Sequence, residues 1–167
     1  MLTAHELLGF MSPALALEIV AHAQESDKPT YRATLAAVAE SRHVRPIFLE
    51  RQPRVDRNKV MLAALTKPTL EPAAANLIRL WLLKGQTAML VDFLNSLEIA
   101  HQDGVVENLP ASVADDRLMA AVELLLGKYP AEKVAVYLQA FNDMNEASWP
   151  NLQSLLANEP RLQLGGS

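Results

Sequence analysis

The chain has 167 residues, half of them hydrophobic and a fifth charged, with a net charge of −4; this balance excludes a disordered chain and fits one domain with a core that needs no metal or disulfide. The absence of cysteine excludes disulfides, thiolate zinc sites and cysteine nucleophiles, and it suits a reducing, bacterial-type cytoplasm. Overall acidity argues against a general nucleic-acid binder, and no apolar run approaches the roughly 20 residues of a membrane span.

Apolar residues recur at three- and four-residue spacings along nearly the whole chain, the rhythm of amphipathic helices. Thr3-x-x-Glu6 is a capping box opening a short helix to about Met11. Ser12-Pro13 opens a second, with Leu17, Val20 and Ala21 on its buried stripe. The stretch Leu7–Ala23 lacks a basic start and is interrupted by Glu6, Ser12, Pro13 and Glu18, so it reads as ordinary helix rather than a secretory signal. Asp27 to Pro29 starts a third helix carrying Tyr31, Leu35 and Val38. Pro46 breaks the pattern, leaving Ile47, Phe48 and Leu49 as a helical turn or an extended piece. Pro53 starts the next helix, with Val60, Met61 and Leu65 inward, and Lys67-Pro68 ends it.

Thr69 is expected to cap a helix over Leu70–Leu83. Its segment Leu77–Leu83 is apolar on almost every side, with only Arg79 charged, which marks it as the central helix of the fold. Gly85 closes it, and Thr87 begins a helix with Leu90, Phe93, Leu94 and Leu97. His101–Pro110 lacks helical signals and holds the turn dipeptide Asp103-Gly104; Val105 and Val106 are too few for a sheet. Ser112-x-x-Asp115 is expected to cap a helix ending near Gly127, and Pro130 and Trp149-Pro150 open the last two. No fixed repeat period survives. The expected fold is therefore all-α: an irregular bundle or stack of about eight short antiparallel helices, paired as hairpins around a central apolar helix. It forms a single domain over residues 1–164, with 165–167 as a flexible tail.

The charge is unevenly distributed. Met1–Gln86 holds 11 Lys and Arg against 8 Asp and Glu, a net of +3, while Thr87–Ser167 holds 4 against 11, a net of −7. Such halves attract, within the fold or between copies. The basic part concentrates in Arg42, Arg45, Arg51, Arg54, Arg57 and Lys59, set against only Glu50 and Asp56. Two of these arginines follow Pro53, where the N–H groups of a helix start already favour an anion. The segment thus reads as an anion site for phosphate, RNA backbone or an acidic partner, or as internal pairing with the acidic half.

Two Glu-x-x-His spacings, Glu40 with His43 and Glu98 with His101, are a candidate metal pair. Three residues apart on a helix they would share a face, as in carboxylate-bridged bundles, with Glu18, Glu71 or Glu123 completing the set. Both histidines fall at expected helix ends, which weighs against this. Glu18, His22 and Glu25 share another face and read first as a solvated helix side. Trp81, Phe93, Tyr137, Phe141 and Trp149 stand at core spacing.

No Gly-rich phosphate loop and no Gly-x-Ser-x-Gly elbow is present, so no catalytic residue is assigned and no cofactor is expected. The favoured function is a non-enzymatic helical interaction domain that binds another protein or itself, with no membrane expected and nucleic acid a less favoured partner. An anion-binding module using the Arg42–Lys59 segment ranks second. A metal-dependent enzyme using the two Glu-x-x-His pairs ranks third.

Overall fold

The computed structural model describes residues 1–165. It contains ten α-helices and no strand among them. These are α1 (Ala4–Phe10), α2 (Pro13–Ser26), α3 (Lys28–Ser41), α4 (Pro46–Glu50), α5 (Arg54–Leu65), α6 (Glu71–Leu80), α7 (Thr87–Ser96), α8 (Asp115–Lys128), α9 (Ala131–Asn145) and α10 (Pro150–Asn158). The count exceeds the expected eight because short elements are fully helical, among them α4, where Pro46 occupies the first turn. No helix of the described residues is long and apolar enough to cross a membrane. Of the tail expected at 165–167, all but Gly165 lies outside the described residues.

The start signals act largely as the side chains dictate. The Thr3 backbone N–H donates to the Glu6 carboxylate at 2.8 Å, the Ser12 hydroxyl accepts from Leu15 N–H at 3.3 Å, and the Asp27 carboxylate accepts from Thr30 N–H at 3.1 Å. Two expected caps are displaced. Thr69 lies inside a 3₁₀ turn, Pro68–Leu70, and α6 starts one residue later without a side-chain cap. Ser112 lies upstream of Ala114, the N-cap residue of α8, and the acids Asp115 and Asp116 occupy the first turn, where they complement the helix dipole.

The chain divides into two compact units, Thr3–Trp81 and residues 82–165 with Met1–Leu2. In the first, α2 packs against α3, α5 and α6, α3 against α4 and α5, and α1 against α5 and α6. Buried Ile19, Val20, Leu35, Val38, Met61 and Leu65 form its core. The Glu71 carboxylate accepts from the backbone N–H groups of Ala4 and His5, both at 2.8 Å, and contacts the His5 ring. It thereby caps α1 from another helix.

In the second unit α7 packs on α8, and α8 and α10 on α9. Every residue of α9 from Val134 to Asn142 is buried. The enclosed helix of this unit is therefore α9, although its sequence carries the polar Gln139 and Asn142; Gln139 Oε1 accepts from Leu2 N–H at 3.1 Å, and Asn142 Nδ2 donates to Met1 Sδ at 3.3 Å. The expected central segment Leu77–Leu83 buries Leu77, Ile78, Trp81 and Leu82. It is not one α-helix: α6 stops at Leu80 and a π-helical turn runs from Trp81 to Gly85. The boundary between the two units falls inside it.

Phe93, Tyr137 and Phe141 meet edge to face at 5.4–5.8 Å, and Phe141 lies 4.9 Å from Trp149, near the preferred geometry of aromatic pairs. Burial pushes the Tyr137 phenol up. The Trp149 indole donates to the Pro110 carbonyl at 3.0 Å. After α7, Gln102 and Val105 exchange both backbone hydrogen bonds at 2.9 Å, and the residues between them, Asp103 and Gly104, have φ of 51° and 87°. This is a type I′ turn, the geometry that Asp-Gly favours. A Cβ on Gly104 would stand 2.9 Å from the Leu90 Cβ.

Two predictions follow from this packing. Gly104→Ala combines a left-handed backbone with that close approach and should lower stability by about 1–3 kcal/mol. Gly127→Ala meets nothing within 4 Å and should raise it by up to about 1 kcal/mol; urea unfolding midpoints of the two variants check both signs. The second concerns acid. Burial works against charge on Glu71, but the His5 and Ala4 N–H groups and the His5 ring outweigh it and hold this carboxyl below its ordinary value of 4.5. A depressed folded-state value contributes stability above the unfolded value and loses it as pH falls through the folded one. Glu71→Gln should therefore cost about 1–2 kcal/mol at pH 7, with the gap to wild type closing as pH drops below 4.5; urea titrations at pH 7 and pH 3 read it.

Candidate functional site

The basic segment is built from two helix ends and a short helix between them. α3 closes with Arg42 as its cap, and the chain reverses at His43, whose φ is 57°. Val44 N–H returns to the Ala39 carbonyl at 3.0 Å and His43 N–H to the Glu40 carbonyl at 3.1 Å, the bonding pattern of a Schellman motif. Arg45 leads into α4, Arg51 ends it, and Arg54 opens α5.

The arginines divide by what they touch. Arg57 is structural: its Nε donates to the Tyr31 hydroxyl at 2.9 Å, and one terminal nitrogen donates to the Glu50 carbonyl at 3.3 Å. Its guanidinium lies 5.7 Å from the Tyr31 ring centre, and the Tyr31 hydroxyl donates onward to buried Asn58 at 2.7 Å. Arg54 pairs with Glu25 of α2 at 2.8 Å, both side chains being more than half exposed, which is worth about 0–1 kcal/mol. Arg42, Arg45, Arg51 and Lys59 are exposed, and none forms an ion pair among the described residues.

Beside these arginines stand side chains the sequence reading left out of the site. Val44, Ile47, Phe48 and Val55 are 39–63% exposed. They are four of the nine large hydrophobic residues exposed among the described residues, and they fall within a dozen positions, so this is a cluster rather than scatter. On α4 only Leu49 is buried. Arg51 follows Ile47 by four residues and Phe48 by three, spacings that place cation and apolar group on one side. The available signal was an apolar triplet after a proline, flanked by arginines, with Glu50 as the one polar residue of the short helix.

The Glu-x-x-His spacings do not become helix faces. His43 and Glu98 (φ 55°) each occupy the left-handed position that terminates a helix, and after α7 Ile99 N–H returns to Leu94 and Glu98 N–H to Asn95. The chain thus turns away between the members of each pair. Glu98 pairs with Arg117 at 2.9 Å. Gly104 N–H donates to His101 Nδ1 at 3.2 Å, so Nε2 carries the proton and donates to Asn95 at 2.8 Å; neither ring nitrogen has a free lone pair. No group of three or more His, Asp or Glu side chains among the described residues is placed to hold a metal ion. On α2, Glu18 accepts from the Trp81 indole at 3.2 Å and Glu25 takes Arg54, while His22 Nδ1 is buried with no partner.

In the second unit a groove of about 500 Å³ between α8 and α10 is lined by Asp115, Met119, Pro150, Asn151, Leu155 and neighbours. Met119 and Leu124 on the outer side of α8 are 39% and 48% exposed. Elsewhere in that unit Asp92 takes Lys128 at 2.7 Å and the Tyr129 hydroxyl at 2.5 Å, and these two donors hold its carboxyl below the usual value. No family model, no curated protein and no solved structure matches the chain.

The division among the arginines is measurable by stability alone. Arg57→Ala should lower it by about 1–2 kcal/mol, the loss of charged hydrogen bonds and stem packing, whereas Arg51→Ala should stay within about 0.5 kcal/mol of wild type; guanidinium or urea midpoints distinguish the two.

Proposed function

We propose that the chain is a non-enzymatic helical interaction domain, and that its docking surface is the corner formed by the end of α3, α4 and the start of α5. The single observation that supports this is the exposed apolar cluster Val44, Ile47, Phe48 and Val55 among Arg42, Arg45 and Arg51. Covering such side chains releases roughly 25 cal/mol per Å² of apolar surface. The cations bias the choice of cover toward an acidic segment and speed its encounter. The fitting occupant is thus a protein segment with an apolar stripe edged by carboxylates, such as an amphipathic acidic helix.

Phosphate or RNA backbone is the weaker reading. Anion binding through counterion release uses the arginines but leaves the apolar cluster wet, and Phe48 is the sole exposed aromatic in that cluster, too little for a base-stacking platform. The finer architecture, a stack of antiparallel hairpins about the Leu77–Leu83 segment, belongs to the same proposal: the links between consecutive helices are short, except the stretch 97–114 between α7 and α8, and support it.

A panel of helical 20-residue peptides, with Leu at i, i+3/i+4 and i+7 and Glu on the flanks, provides the probe, with a single-stranded RNA 20-mer alongside. Fluorescence anisotropy should show peptide binding that weakens at least tenfold in Phe48→Ser and in the double variant Arg45→Glu/Arg51→Glu. Tighter binding of the RNA, steeply salt-dependent and indifferent to Phe48→Ser, would overturn the reading in favour of an anion module. Binding of neither probe would remove this corner as a docking surface.

A further inference from the structure

Resting on that reading, we infer that the acidic segment seated on the α4 corner is α8 of a second copy of this chain. The two surfaces are complementary in kind. One presents Ile47 and Phe48 beside Arg45 and Arg51; the other presents exposed Met119 on α8, with Asp115 and Asp116 four and three residues before it in the first turn. The halves that carry them have net charges of +3 and −7, so the encounter of corner with α8 is attractive, while corner with corner and α8 with α8 are repulsive.

The α8 surface also has a place for an aromatic side chain. The groove beside Met119, walled by Leu118, Pro150 and Leu155 and edged by Asp115, has a volume of about 500 Å³, and in the inferred contact it receives Phe48. The two carboxylates at the start of α8 accept hydrogen bonds from neutral neighbours and form no ion pair among the described residues. Asp115 accepts from the Asn151 amide at 3.0 Å, and Asp116 accepts from the Arg117 backbone N–H at 3.0 Å. Glu123, one turn beyond Met119, is already neutralised by Arg161, one nitrogen of which is 3.0 Å away, so the unmatched acids are those at the start of α8. The contact joins two different surfaces, so each copy keeps one of each free; assembly continues past the dimer until it closes on itself or forms an open chain.

This arrangement sets the test. Sedimentation velocity of the wild-type chain should show association that rises with concentration and weakens at least tenfold between 50 and 500 mM NaCl. Phe48→Asp spoils the corner and leaves α8 intact; Met119→Lys spoils α8 and leaves the corner intact. Each alone should be monomeric, with thermal unfolding unchanged because both positions are exposed. Mixed one to one, the good corner of one should meet the good α8 of the other and give a dimer that grows no further. A wild-type chain that stays monomeric to about 1 mM overturns the inference, as does association that survives in either variant or fails to return in the mixture. The peptide probe separates the two levels: binding that still responds to Phe48→Ser, with no self-association, sinks the second copy but leaves the docking surface standing.

Discussion

Helices this short cannot stand on their own hydrogen bonds. The ten run from five to fifteen residues, at or below the length where an isolated helix is marginal in water. Each therefore exists because it buries a face against a neighbour or is held at its ends by another element. α9 is the limiting case of the first kind, buried from Val134 to Asn142, with its two polar residues bonded to the first residues of the chain. α1 belongs to both kinds: Leu7 and Leu8 are buried, and its open N–H groups are satisfied by Glu71 reaching from α6.

α4 meets that constraint in the least demanding way, and the proposed docking surface rests on how it does so. One buried side chain, Leu49, ties it to the core. Pro46 presets its first turn, and its last carbonyl is taken by Arg57 of α5, which Tyr31 and Asn58 fix in turn. A helix preset by a proline at its start and held by a polar contact at its end has an outer side with no structural duty. A purely structural sequence would fill such a side with polar residues, because exposed apolar surface risks aggregation. Here it carries isoleucine and phenylalanine, and the cations around it repel one another. Only an occupant with the opposite sign and an apolar stripe relieves both costs at once.

The sequence revealed what depends on rhythm and on side-chain oxygens. Spacing of Leu35 and Val38, of Leu118 and Val122, or of Val134 and Phe141 was enough to place buried faces, and Ser12, Asp27 and Glu6 cap where their chemistry requires. It obscured what depends on three-dimensional surroundings. Helix ends at His43 and Glu98 use left-handed residues other than glycine, so the usual stop signal was missing; the sequence placed both histidines near helix ends but did not show that the chain reverses within each Glu-x-x-His spacing. Composition marked the Leu77–Leu83 run because it records hydrophobicity, whereas enclosure depends on how many elements lie around a helix; α9 is buried from Val134 to Asn142 although it contains Gln139 and Asn142, each with one side-chain bond to the first two residues and Asn142 Oδ1 without a partner among the described residues. Exposure of Phe48 was illegible for the same reason: nothing local says whether another helix covers α4.

Polar groups serve chemistry only when they converge on one point with their bonding capacity still open; His22 Nδ1 is buried without a hydrogen-bond partner among the described residues, but several other titratable side chains are committed to structural contacts. His101 has both nitrogens engaged, His5 is set against Glu71, Glu98 is matched with Arg117, Glu123 with Arg161 and Asp92 with Lys128 and Tyr129. These pairs hold neighbouring elements together, and using one for chemistry would loosen the contact it makes. The arginines of the α4 corner carry no such commitment, and they surround a surface that gains by being covered. Where free charge and free apolar area coincide, binding can proceed without dismantling any part of the fold, and that coincidence is the physical ground for reading this chain as a partner-binding domain.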